Sequence, residues 1–225
     1  MNELQGMILE IDFSFTSPMV DYSEPMDFIN EVKFNILLVD NEDNRELIGK
    51  GVFNLILLER ALSLNRDLYE VMDASHSISE ITDLLDLDNV FGIFDKIEVF
   101  YPEEDPILNA NIALLERIEI LPKYRGLGIS AMVMKRIIEQ FYGWFDLVVL
   151  KAFPLQYDGN NANIDDWHAL MSYSELKGDF EKSQKKLFEL YHGMGFENPF
   201  GNEFFISRSE KILFHKNENP LIFDE

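Results

Sequence analysis

The stretch from Ile112 to Phe153 constrains the fold most. Ile112–Leu121 is a run of β-forming residues, and Pro122 closes it. Across Gly126–Phe141, Ile129, Met132, Val133, Ile137 and Phe141 recur at helical spacing. Lys135, Arg136, Glu139 and Gln140 lie largely off that stripe, which predicts an amphipathic helix. Asp146–Phe153 has the near-continuous apolar core of a strand buried on both faces. Strand, helix and strand within about 40 residues make a βαβ unit, with a right-handed crossover and parallel strands.

The first half reads as further α/β material. Met7–Phe15 and Glu31–Asp40 are predicted strands, with Thr16–Met26 a loop. Asn41–Glu46 is a polar turn, and Leu47–Leu58 returns as the second strand of an antiparallel hairpin. Arg60–Asp73 and Ile78–Leu87 are predicted helices, the second capped by Ser77 with Glu80. Ile97–Tyr101 is expected as a short strand and Tyr101–Asn111 as a loop. At 225 residues, one domain over residues 1–225 is expected.

Nineteen Lys and Arg against 41 Asp and Glu leave a net charge of −22, which disfavours nucleic-acid binding and attracts cations. The chain has no Cys, so disulfides, thiolate metal sites and Cys nucleophiles are excluded. Met1–Phe15 lacks a basic region and does not read as a signal peptide. No apolar run approaches the ~18 residues of a membrane span, and a cytoplasmic location is expected.

Between the parallel strands lies Pro122-Lys123-Tyr124-Arg125-Gly126-Leu127-Gly128-Ile129-Ser130. Glycines at a helix mouth let a ligand approach the backbone, and the unpaired first-turn N–H groups suit a pyrophosphate. A Walker A loop is excluded because no Lys-Ser/Thr follows the glycines. The dinucleotide fingerprint G-x-G-x-x-G is also absent. Lys123 and Arg125 would offset the acidic field at this site.

This strand–P-x-Y-R-G-x-G–helix arrangement resembles the acetyl-CoA signature of the GNAT superfamily of N-acetyltransferases, Arg/Gln-x-x-Gly-x-Gly/Ala. Ser130 stands where the last Gly or Ala is usual. A second segment, Leu187–Phe196, resembles the family's later helix, which often ends F-Y-x-x-x-G-F. Tyr191, Gly195 and Phe196 match in place, and Leu190 replaces the Phe. The resemblance is specific from about Ile112 to Arg208 and implies a mixed sheet flanked by helices. The cofactor motif would span 112–153. The Tyr-bearing helix and final strands (Glu203–Arg208 and Lys211–His215) would span 183–215. Residues 154–182 depart from the family as a long insertion near the acceptor site.

The resemblance implies direct acetyl transfer from acetyl-CoA to an amine, with no metal. Backbone N–H groups of Arg125, Gly126, Leu127, Gly128, Ile129 and Ser130 would cradle the pyrophosphate. Backbone groups of Ile118, Glu119 and Ile120 would pair with the pantetheine arm. Tyr191 would be the general acid, the alternative being an aromatic packed in the core. Glu116 and Glu119 are candidate bases. Three residues apart on a strand, they are expected on opposite faces, with Glu116 slightly preferred.

The acceptor would be a small-molecule amine or a protein amine, with a homodimer left open. Two alternatives remain: a non-catalytic acyl-CoA-binding sensor on the same fold, and a protein-interaction module. A different acyl donor is also open. His192 reads as a surface residue, His168 as an acceptor contact or a bland residue of the insertion, and His76 and His215 as structural. Asp158–Asp166 fails the calcium-loop pattern at Ala162, Asn163 and Ala169.

Overall fold

The computed structural model describes residues 7–16, 23–89, 94–98, 109–157, 166–176 and 178–214. Six strands form one mixed sheet in chain order: β1 (Ile8–Phe15), β2 (Ile29–Val39), β3 (Arg45–Ile56), β4 (Ile112–Ile120), β5 (Leu147–Lys151) and β6 (Phe204–Arg208). Only β4 and β5 are parallel neighbours, and α5 (Ile129–Gln140) connects them, as the periodicity predicts. The β2–β3 turn is built by Asp40, whose carboxylate accepts the N–H groups of Glu42 and Asn44 at 2.8 and 3.0 Å. The Asn44 side-chain amide, donating to Oδ2 at 2.9 Å, holds the Asp40 carboxyl below the usual range, and the two backbone bonds add to it.

Helices cover both faces. On one, α5, α7 (Phe180–Gly193) and α8 (Ser209–Phe214) pack over Phe34, Phe53, Leu115 and Phe205. On the other, α1 (Leu58–Ser63), α2 (Leu68–Met72), α3 (His76–Ser79) and α4 (Asp95–Glu98) pack over Ile56, Ile112, Leu114 and Val149. The short α6 (Asp166–Leu170) precedes a 3₁₀ turn at Tyr173–Leu176.

Several predicted elements differ. The Arg60–Asp73 helix is two helices: Asn65, at φ 52°, ends α1, and Asp67 caps α2 by accepting the Tyr69 N–H at 2.8 Å. The Ile78–Leu87 helix shrinks to α3 and a 3₁₀ turn at Thr82–Leu84, and its cap is Ser75 rather than Ser77. Asp95–Glu98 is a helical turn where a strand was expected from Ile97; the rest of that strand lies outside the described residues. The Lys211–His215 strand is instead helix α8, with Glu210 in its first turn and Ile212 buried against α5. Residues 158–165 of the polar Asp158–Asp166 stretch, and His215, lie outside the described residues.

Gly51 sits where β3 crosses the Phe34 ring. A Cβ there would lie 2.2 Å from that ring and 2.5 Å from the Arg117 carbonyl oxygen. Gly51→Ala is expected to destabilise the fold by ~1–3 kcal/mol, measurable by urea denaturation.

Candidate functional site

Pairing between β4 and β5 covers only Ile112–Leu115 against Leu147–Leu150. Beyond it, β4 continues to Ile120 with β3 on one side and, among the described residues, no strand on the other. Next to β5, Ala152 donates its N–H to Glu203 at 2.7 Å, and Pro154 has no N–H to donate. The two strands therefore part, and a cavity of 520 Å³ opens between them, within the size range of small-molecule sites. Ser130, Met134, Leu190 and Tyr191 line it from the α5/α7 side. Glu116, Glu119 and Tyr173 line it from the other.

Gly126 and Gly128 both adopt left-handed φ, 77° and 76°, just before α5. The turn they make leaves the N–H groups of Gly126, Leu127, Gly128, Ile129 and Ser130 with no acceptor within the described protein. Such a row of N–H groups at a helix mouth is an anion-binding concavity. Gly126 and Ser130 line the cavity. Nothing lies within 4 Å of where a Gly126 Cβ would stand.

The predicted phosphate bases are placed differently. Arg125 donates through Nε to the Ile120 carbonyl at 2.9 Å and through Nη2 to the Met171 carbonyl, so it ties the strand end to the 166–176 segment while lining the cavity. The Ile120 carbonyl is thereby taken, and the Glu119 backbone turns to β3, its carbonyl oxygen 2.7 Å from where a Gly49 Cβ would stand, which leaves Ile118 as the open part of that edge. Lys123 turns to the Tyr124 hydroxyl, 3.0 Å away, which in turn donates to Glu46 at 2.7 Å.

A β-bulge overturns the expected split of the two glutamates. Val52 pairs with Arg117 and Phe53 with Leu115, which leaves Glu116 as the extra residue and resets the alternation. Glu116 and Glu119 therefore share the face that carries α1–α4. Glu116 accepts from Asn54 at 2.6 Å and from the Ser77 hydroxyl, both through Oε1. Its Oε2 makes no hydrogen bond within the described protein. Glu119, only 8% exposed, is fully engaged: Tyr173 donates to Oε1, Trp167 to Oε2 at 3.1 Å, and Arg117 lies 3.4 Å away.

Tyr191 packs its ring against Phe196 and Phe205, with centroids 6.1 and 5.6 Å apart. Its hydroxyl makes no hydrogen bond within the described protein, and burial pushes its pKa up to about 12. The ring thus does the packing that its helical spacing suggests while the residue lines the cavity. Since an unfolded tyrosine titrates near ~10, the unfolded chain loses this proton first, and stability falls from about pH 10 to 12. Tyr173 and Tyr124 shift in the same direction, chiefly through burial. Urea melts across this window should therefore show a decline that Tyr191→Phe reduces by ~2 kcal/mol.

His192 faces solvent, with Nδ1 3.1 Å from the Phe196 carbonyl. His168 packs at a tilt against the Tyr173 ring, with centroids 5.0 Å apart, and His76 is exposed. Among the described residues there is no cluster of His, Asp and Glu able to hold a metal, and no helix is long and apolar enough to cross a membrane.

Sequence reasoning missed Tyr173, Met171 and Lys151 in the cavity lining, and Trp167, which bonds Glu119. Lys151 pairs with Glu80 at 2.5 Å and Glu203 at 3.6 Å. Only the length of the 154–182 segment pointed toward Tyr173, Met171 and Trp167. No family model matches the chain, and no curated protein matches it.

Proposed function

We propose that the chain is a GNAT-like N-acetyltransferase that takes acetyl from acetyl-CoA and passes it directly to an amine. One observation carries this reading. The gap between β4 and β5 runs alongside the unpaired N–H groups of Gly126–Ser130, so an extended arm and an attached diphosphate have adjoining places. The charge supports it: in a chain of −22, Arg125 and Lys186 both line the cavity, and neither pairs with a carboxylate among the described residues.

The thioester would supply an activated acetyl group. Residues Gly126–Ser130 would hold the diphosphate, and the free edge at Ile118 would align the arm. Glu116, through Oε2, would take the proton the amine loses as its C–N bond forms. Tyr191 would give a proton to sulfur as the C–S bond breaks. The phenol is protonated through the physiological range, as an ordinary tyrosine is, so a proton is there to give.

Calorimetric titration with acetyl-CoA tests the reading. Saturable one-site binding, followed by amine-dependent thiol release on a panel of small amines and peptides, is the expected result. Absence of binding would refute it.

A further inference from the structure

Glu119 is a nearly buried carboxylate that the proposed chemistry does not use. Every contact it makes is directed at holding structure. Tyr173 and Trp167, both from the 166–176 segment, donate to its two oxygens, and Arg117 supplies the nearby positive charge. Next to it, Arg125 bonds the Met171 carbonyl of the same segment and lies with its guanidinium carbon 6.0 Å from the Tyr173 ring centroid. Lys50, opposite Glu119 on β3, sits 4.6 Å from the centre of the Trp167 ring.

These polar ties matter because the segment brings little core of its own. Met171 and Tyr173 are buried, but Leu170 and Leu176 are 58% and 39% exposed. Met171, Tyr173 and Leu176 nonetheless form one wall of the cavity. A charged acceptor in a buried place makes strong hydrogen bonds, and losing it leaves donors unpaired.

We propose that Glu119 is a positioning residue: it seats residues 166–176 on β4 and so completes the cavity wall. It acts on the ligand only through Trp167 and Tyr173. The proposal rests on the cavity being the ligand site, but the seat itself can be measured without ligand.

Trp144→Phe leaves Trp167 as the sole tryptophan. In that background, Glu119→Gln and Tyr173→Phe should each raise acrylamide quenching of Trp167 severalfold and shift its emission to the red, with far-UV circular dichroism unchanged. Because both act through one contact, the double variant should show no more than the larger single effect. Acetyl-CoA should then leave Glu119→Gln faster than the unsubstituted chain. Unchanged quenching in both single variants, or fully additive effects, would overturn the seat. Failure of the unsubstituted chain to bind acetyl-CoA would refute the cofactor reading alone, and the quenching would still decide the seat.

Discussion

Tyr191→Phe is expected to lower turnover by ~10²–10⁴-fold while leaving acetyl-CoA affinity unchanged. The substitution removes one hydroxyl that has no partner in the described protein. The ring contacts with Phe196 and Phe205 remain, so the fold should lose little stability near neutral pH. Loss confined to kcat would assign the hydroxyl to the reaction. Unchanged kcat would reduce Tyr191 to packing. A native chain that binds acetyl-CoA but turns over no amine would favour the sensor reading.

The two carboxylates separate in role through their partners. Both lie on one face because the bulge at Glu116 resets the strand. Both line the cavity, but Glu119 is buried with both oxygens occupied, whereas Glu116 keeps Oε2 uncommitted within the described protein. A base needs an oxygen free to receive a proton, so the choice falls on Glu116.

The βαβ unit was legible because its signals agree at every level. The apolar strands, the Pro122 stop, the glycines and the amphipathic stripe of α5 all favour one arrangement. The break at Asn65–Asp67 was also written in the sequence, as a residue tolerant of left-handed backbone followed by an N-cap Asp, but the apolar spacing through Arg60–Asp73 outweighed it. Lys211–Phe214 shows the opposite conflict. Its apolar residues suit a strand, yet the preceding Ser209 and Glu210 favour a helix start, and packing against α5 decides for the helix. The bulge could not be read, since nothing in Leu115–Ile118 marks one extra residue. For the same reason, the meeting of Glu119 with Trp167 and Tyr173, 48 and 54 residues later, left no local trace.

Ser130→Glu tests the anion site with effects of opposite sign on folding and binding. Ser130 is the second residue of α5, beside the open N–H groups. A carboxylate in the first turn of a helix is favourable by ~0.3–1 kcal/mol, so the variant should melt no lower than the native chain. The same charge within about 5 Å of a diphosphate costs ~3 kcal/mol at an effective dielectric near 20, which is a loss of more than about a hundredfold in acetyl-CoA affinity. Calorimetric titration and thermal melting on one preparation read both. Weaker binding with an equal or higher melting temperature would place the diphosphate at Gly126–Ser130. Unchanged affinity would remove it from there, and a lower melting temperature would make any loss of binding a folding effect.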